Sequence, residues 1–437
     1  MTSSPEAAAS ERRTAALSAV AFFFVLTAYY IIRPVRDQLS GAVGSQSLPL
    51  FYLGTFVAML ALTPVFGAMV ARFPRRRLLG WSYCFFIACL LAFVPAFLAQ
   101  ARIGARELGV VFFIWVSVFN LFVVSLFWSF MADIFDSVQA RRMFPLIALG
   151  GMVGAVFGPL VTSLLVGLLG DAPLLVVSAL MLGLALALLL RLSHEGGRAA
   201  QGEVRGDEEA IGGSLWAGIQ ELWSRPFLRY MALLMLLGDG IGTLAYALVA
   251  DYAKAHFLDS ATRTAFYAHM DLAVNGLGAL LQLTATRWLL RRRGAGSGLL
   301  VPALVNMALL AMVVVGGHGS VAVLGMTLPL VAAMLVVTRS FAYGMTKPAV
   351  DALYTRVPRE TRYKGKNFVE TAVWRFGDLV VTSGVSLLGA AGIGVAGMAL
   401  VGVAVSGGAT WVAHRAGHAP DLLPETGRGV SDEPAGA

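Results

Sequence analysis

The stretch that decides the fold is residues 339–378, RSFAYGMTKPAVDALYTRVPRETRYKGKNFVETAVWRFGD. Two apolar runs meet here across a basic link carrying Lys347, Arg356, Arg359, Glu360, Arg362, Lys364 and Lys366. The second run then takes Glu370, Arg375 and Asp378 into its apolar body. Charge in hydrocarbon costs roughly 2.5–3.5 kcal/mol per residue on insertion scales, so it usually faces a partner or a water-filled path. Three such charges within a few helical turns mark a membrane span with a polar face.

The rest of the chain repeats the apolar half of that pattern. Of 437 residues, 58% are hydrophobic and 13% charged, and the mean hydropathy is +0.75. One soluble core has no use for so much apolar surface. Apolar runs of about 20 residues without period-two alternation indicate membrane-spanning α-helices rather than a barrel, because each span must satisfy its own backbone hydrogen bonds. About twelve such runs are expected, near 14–32, 49–71, 78–99, 109–132, 144–169, 172–190, 226–249, 265–286, 297–316, 320–343, 367–389 and 393–413, with ends good to about 2–4 residues. The first is too long for a signal segment and lacks a cleavage site before Arg33, so it reads as a retained span.

Orientation follows from the basic residues of the short turns. The even-numbered turns carry Arg72, Arg75, Arg76 and Arg77, then Arg141 and Arg142, then Arg287, Arg291, Arg292 and Arg293, and finally the 347–366 link. The odd-numbered turns offer only Arg33 and Arg36, Arg102 and Arg106, and Lys254 and Arg263. Both termini are therefore expected in the cytoplasm of a bacterium, with the chain in the inner membrane. The net charge of +8 is this asymmetry and calls for no nucleic-acid partner. Cys84 and Cys89 share one apolar run at a spacing that suits neither a disulfide nor zinc, and the six histidines are scattered. No metal site and no cofactor are expected.

The chain also reads as two halves. Residues 191–225 hold Glu195, Arg198, Glu203, Arg205, Asp207, Glu208 and Glu209 among glycines, the composition of a cytoplasmic linker, and Leu215, Ile219 and Leu222 at its end fit a surface helix. Residues 1–190 and 226–415 would then be six-helix bundles, followed by a flexible tail over 416–437. The turn Arg72-Phe73-Pro74-Arg75-Arg76-Arg77 after the second run is echoed by Arg287-Trp288-Leu289-Leu290-Arg291-Arg292-Arg293 after the eighth. Repeated halves are the sequence expectation for a transporter with its site between them. Gly67, Arg72, Arg75 and Arg76 resemble the loop signature of the major facilitator superfamily, with Ala71 in place of its acid. Gly150, Gly154, Gly158 and Pro159 resemble its glycine–proline motif. Small residues four apart also simply let helices pack closely.

Several charges fall inside runs. Arg33 and Asp37 are four apart and would pair along one helical face, leaving Arg36 free as a cationic gate or an outer-end anchor. Arg339, Tyr343 and Lys347 form a stripe down the tenth run. Arg375 and Asp378 are within pairing distance, with Glu370 about one turn nearer the cytoplasm. Asp239, between Gly238 and Gly240, is the most isolated acid in the chain, suited to carrying a proton or contacting substrate. Asp271 and Asn275 give the eighth run a polar face, either functional or a helix–helix hydrogen bond.

These residues carry a second resemblance. Lys364-Gly365-Lys366, Glu370, Arg375 and Gly377 are similar to the eleventh-span motif of the ATP/ADP translocase (nucleotide transporter) family, and Arg33, Arg36 and Asp37 to its first-span motif. Trp115, Phe127-Trp128, Arg142 with Phe144-Pro145, and Ser224-Arg225-Pro226 also match. Asp378 stands where that family carries lysine, and Phe113 where it carries an acid. The resemblance implies a facilitator-type fold and exchange of nucleotides or similar phosphorylated anions.

The leading expectation is an all-α secondary transporter moving an anionic, nucleotide-like metabolite by alternating access, as a monomer in the bilayer. Arg33, Arg36, Arg339, Tyr343, Arg375 and Asn275 would contact substrate, and Asp37, Asp239, Asp271, Glu370 and Asp378 would couple protons or organise the cations. Arg72, Arg75, Arg76, Arg77, Lys364 and Lys366 would latch the cytoplasmic face. Two alternatives stand beside it: a proton-coupled exporter of small amphipathic compounds using Asp239, and a non-transporting scaffold or sensor. No Walker loop, nucleophile elbow or zinc motif is present, so an enzyme is not expected.

Overall fold

Most of the long apolar runs fold as helices. A computed structural model describes residues 5–199, 215–323, 326–358, 365–366 and 368–423. Nine helices among the described residues are long and apolar enough to cross a membrane. In chain order the helices are α1 (Pro5–Val43), α2 (Leu48–Arg72), α3 (Arg75–Leu98), α4 (Ala105–Ile134), α5 (Ser137–Leu169) and α6 (Asp171–Ala199). A short helix at Leu215–Ser224 follows, where the sequence expects a surface helix. Then come α7 (Pro226–His256), α8 (260–293), α9 (Ala295–Gly316), α10 (330–354), α11 (369–390) and α12 (Val395–Gly417). The nine apolar helices are α1 to α7, α9 and α12; α8, α10 and α11, which carry Asp271, Arg339 and Arg375 along their length, are not among them. The central residues 200–214, the link residues 359–364 and the tail beyond 423 lie outside the described residues.

Two boundaries correct the sequence reading. The run expected to start a helix near 320 instead forms a hairpin, in which β1 (Ser320–Val323) pairs antiparallel with β2 (Met326–Pro329). β-Branched Val321, Val323 and Thr327 favour extended backbone, and Pro329, held at φ −56 and ψ 141, delays the helix to Leu330. The helix then runs to Tyr354, so Lys347 lies inside α10 and not in the link. Likewise α1 continues past Arg33, Arg36 and Asp37 to Val43, with Pro34 inside it. Those charges sit in the body of a helix, not at its outer end.

Packing places α1 centrally, against α4, α5, α6, α7 and α8. Its tightest neighbour is α5, where Gly150, Gly154 and Gly158 recur every fourth residue. A Cβ at Gly150 or Gly154 would overlap the carbonyl oxygen of Ala19 or Phe23, and one at Gly158 would stand 2.9 Å from that of Thr27. The small residues therefore let backbone rest on backbone. One apolar core fills the first six helices around Phe22, Tyr83, Phe119 and Phe127. A second joins Phe51, Tyr52 and Phe113 to Ile241, Tyr246 and Tyr267 of the last six. A third, around Phe227, Leu353, Tyr354 and Val412, belongs to the last six alone, at the end carrying the basic turns. The core that crosses between the two sets thus lies away from the basic turns. Trp81, Phe85, Leu180 and Leu400 stand exposed on outer faces, as contact with lipid tails requires.

In the last six helices, α7, α8, α10 and α11 each contain a π-helical turn, at Met235–Asp239, Gln282–Thr286, Ala342–Thr346 and Val369–Val373. Such turns break the i→i−4 ladder and recur at functional sites. Of their residues, Tyr343 lines the cavity described next, and Asp239 pairs with Arg339 on its wall.

Candidate functional site

Helical spacing builds one polar face from each of several helices. On α1, Tyr29, Tyr30, Arg33, Arg36 and Asp37 fall within two turns of one stripe. On α4 the stripe is Phe113, Ser117, Asn120 and Val124; on α8 it is Tyr267, Asp271 and Val274; and α10 adds Leu335, Arg339 and Tyr343. With Tyr52 of α2, Tyr246 of α7 and Trp374, Arg375 and Asp378 of α11, they enclose a cavity of about 330 Å3 between the first and last six helices.

Four arginines and three aspartates line this cavity, and they are unequally paired. The Arg36 Nη2 lies 2.6 Å from Asp37 Oδ1, and its Nε donates to the same oxygen at 2.7 Å. Arg339 Nη1 donates to Asp239 Oδ1 at 2.7 Å. Arg33 is held more loosely, at 3.9 Å from Asp37 and 3.6 Å from Asp271, and so is Arg375, at 3.5 Å from Asp378. Among the described residues neither Arg33 nor Arg375 donates a hydrogen bond within normal distance. Tyr30 lies under the Arg33 guanidinium at 5.5 Å and Trp374 under that of Arg375 at 4.9 Å. Such faces hold a cation without using its N–H donors.

Two expectations about pairing are corrected here. Arg36, expected free, is the arginine that Asp37 holds most closely. Asp239, expected to be isolated, accepts from both Arg339 and the Trp374 indole. Its partners come from α10 and α11, about 100 or more positions away in the chain, and no spacing rule reaches that far.

The other expected residues are placed as follows. The Asp378 carboxylate accepts from Thr243 Oγ1 at 2.6 Å, a buried bond between α11 and α7. Glu370 lies 2.6 Å from Lys347 and 3.9 Å from Lys366, whose ammonium lies 2.7 Å from Asp351. Asn275 stands outside the cavity lining, its amide donating to the Ala155 carbonyl of α5 at 2.9 Å. Arg72, Arg76 and Arg77 are exposed at the basic end. The Arg75 side chain and Lys364 lie outside the described residues. Sequence reasoning missed Thr243 and Tyr246, although they stand four and seven positions after Asp239 and so share its face. It also missed Tyr52, Asn120 and the role of Trp374, which nothing in their local sequence distinguishes.

Beyond the cavity, at the end away from the basic turns, α1 is tied to the last six helices. Tyr246 donates to Asp37 Oδ1 at 2.9 Å and lies 2.6 Å from Ser40 Oγ. The Ser45 amide donates to Asp251 at 2.7 Å, and Lys254 donates to the Val43 carbonyl at 2.9 Å. Gln46 donates to the Ser386 carbonyl.

A cavity lined from both sets of helices and sealed at one end suits binding from the other. The family model of the Major Facilitator Superfamily matches residues 15–369. The chain belongs to that superfamily. Among solved structures, a point mutant of the nucleoside transporter NupG aligns with a TM-score of 0.64 at 14% identity, covering 92% of this chain and 99% of that one. A bacterial homologue of the iron transporter ferroportin in an inward-facing state aligns at 0.63 and 16%, covering 93% and 98%. The POT family transporter PepTSo aligns at 0.61 and 14%, covering 92% and 96%. At these identities the likeness is one of fold. No curated relative matches the chain in sequence. The protein is a multi-pass membrane transporter of the major facilitator type.

Proposed function

We propose that the protein carries a small metabolite bearing one or two negative charges, bound between Arg33 of α1 and Arg375 of α11. The observation behind this reading is that these two arginines, one from each set of six helices, face one cavity with only long ion pairs. A guanidinium presents five N–H donors in a planar fork that matches carboxylate or phosphate. The tightly held Arg36 and Arg339 have less to offer and serve to fix the walls. Counted with Asp239, the cluster holds four arginines against four aspartates. It has no surplus cation to balance a cargo with several phosphates, which favours a monophosphate or carboxylate over ATP; Asp378 adds to this, standing where the ATP/ADP translocase family that the sequence resembles carries lysine. Nine aromatic side chains line the same walls, Tyr29, Tyr30, Tyr52, Phe113, Tyr343 and Trp374 among them, and offer faces for a ring.

Residues 1–190 and 226–415 act as the two rocking bundles. The basic turns face the cytoplasm by the positive-inside rule, and the ties at Tyr246, Asp251 and Lys254 close the outer side. The structure then corresponds to the form loaded from the cytoplasm. A proton-coupled exporter using Asp239 loses its motivation, because that carboxylate is engaged by Arg339 and Trp374.

The test is counter-transport in proteoliposomes preloaded with unlabelled AMP, inorganic phosphate or buffer and challenged with labelled AMP, adenosine or ATP. Exchange of AMP is expected, with binding weakened by roughly 10- to 100-fold in Arg33→Gln and in Arg375→Gln, as loss of a charged hydrogen bond implies. Uptake of adenosine that is indifferent to both substitutions, or no exchange of any monoanion or dianion by folded protein, would sink the proposal.

A further inference from the structure

Of the four aspartates in the central cluster, three accept hydrogen bonds. Asp37 takes two nitrogens of Arg36 and the Tyr246 hydroxyl. Asp239 takes Arg339 and the Trp374 indole, and Asp378 takes the Thr243 hydroxyl. Asp271 of α8 accepts none among the described residues, although its side chain is only 9% exposed. The one cation within 4 Å of it among those residues is Arg33, at 3.6 Å. A buried carboxylate with a single, long ion pair keeps its charge only while that cation is left to it.

Arg33 is also the guanidinium that the cargo would claim. Its Nη1 faces Asp271 at 3.6 Å and its Nε faces Asp37 at 3.9 Å. An anion seated on the Nη1 side displaces Asp271, and one seated on the Nε side brings a like charge against the same guanidinium. Either way the cargo offsets the cation on which Asp271 depends. The other aspartates are protected, since Asp37 keeps Arg36 and Tyr246, and Asp378 keeps Thr243 when Arg375 is taken.

Among the described residues no spare cation can replace Arg33. The charged and titratable groups about Asp271 are Tyr30, Arg33, Arg36 and Asp37 of α1, Tyr246 of α7, Tyr267 of its own helix, and Arg339 and Tyr343 of α10. Arg36 and Arg339 are already engaged by Asp37 and Asp239. α5, which also packs along α8, has no ionisable residue between Met143 and Leu169. α6 brings Asp171, bound to Thr264 about two helical turns away.

We infer that Asp271 takes up a proton as an anion settles on Arg33, so that cargo and proton travel together; this rests on the anion reading of the central cavity. Arg33 keeps its charge throughout, exchanging one anionic partner for another, and the proton comes from the water that fills the open side. A monoanion entering with one proton leaves the net charge of the cluster as it was. Exchange of like for like returns the proton and is indifferent to a pH gradient, whereas net movement of cargo follows it.

The test is calorimetry of AMP binding to the full-length protein in nanodiscs at pH 7.5, in two buffers of different ionisation enthalpy, which counts the protons taken up. A phosphate monoester with a second pKa of about 6 is then already a dianion, so uptake is by the protein. About one proton per AMP is expected, with affinity falling by up to about tenfold per pH unit above this. Asp271→Asn should take up none and bind AMP as tightly or more tightly, because Arg33 has lost a competitor; Asp271→Glu should restore the uptake. Should Asp271→Asn not fold, AMP entering liposomes loaded with the dye pyranine, with voltage clamped by potassium and valinomycin, should acidify the lumen in the parent. AMP binding or entry without a proton, or uptake unchanged in Asp271→Asn, would overturn the inference and leave the anion reading in place. Failure of folded protein to bind AMP or inorganic phosphate would remove that reading, and the inference with it.

Discussion

Replacing Tyr246 by phenylalanine should release the sealed end of the cavity. The Tyr246 hydroxyl donates to Asp37 Oδ1 at 2.9 Å and lies 2.6 Å from Ser40 Oγ, and the ring is 8% exposed. It is a buried bond between α7 and α1, made to a carboxylate that also holds Arg36 and Arg33. A hydrogen bond to a charged partner contributes about 1.5–3 kcal/mol net. If the bond exists only while this end is closed, its loss destabilises the closed form alone. Each 1.4 kcal/mol is a factor of ten, so the opposite conformer should gain roughly 10- to 150-fold in relative population. The measurement is electron–electron spin distance between labels at Ile103→Cys and Leu258→Cys, in a background with Cys84 and Cys89 replaced. Both sites are exposed in turns at the sealed end, one on each set of six helices. Tyr246→Phe should broaden the distance distribution and move weight to longer values. An unchanged or shortened distribution in folded protein would refute the latch. Ser40→Ala keeps the bond to Asp37 and should shift it less.

Two further outcomes follow from the packing. Asp239→Asn removes the charge from a carboxylate whose partner Arg339 has a side chain only 12% exposed; leaving such an arginine unpaired costs about 3–5 kcal/mol. A lowered thermal transition in detergent is expected, with partial recovery in Asp239→Asn/Arg339→Gln, and an unaltered transition in the single variant would count against the pair. Gly154→Ala should destabilise by about 1–3 kcal/mol or more, because the new methyl overlaps the Phe23 carbonyl. Gly183→Ala in α6, where nothing stands within 4 Å, should be neutral or stabilising by up to about 1 kcal/mol. Equal melting of the two glycine variants would argue against close α1–α5 contact.

Long apolar runs made the helices legible, because hydrocarbon thickness fixes their length and backbone satisfaction fixes their type. The hairpin before α10 was not legible, since Ser320 to Pro329 is as apolar as a span and only the β-branched residues and Pro329 hint at extended backbone. Among the charges, the rule that residues three and four apart pair found Arg375 with Asp378 at 3.5 Å. The same rule chose Arg33 over Arg36 for Asp37, where the adjacent arginine makes the shorter contacts. Partners on other helices were beyond it altogether. Asp239 looked isolated because Arg339 and Trp374 approach it only once α7, α10 and α11 have packed. The periodicity of Asp239, Thr243 and Tyr246 was there to be read, but a lone threonine and tyrosine in an apolar run ordinarily signify nothing more than packing.

The π-helical turns found among the described residues all fall in the second six helices, whereas α1 and α5 of the first six lie backbone against backbone. Backbone-to-backbone contact leaves α1 and α5 little room to slide, whereas a helix with an interrupted ladder can change its local winding. Distances between α1 and α5 are therefore expected to vary less between conformers than distances across the π-helical turns of the second six. A binder raised against the joined α1–α5 surface would report how much protein is present, and one raised across the π-helical turns would report its state.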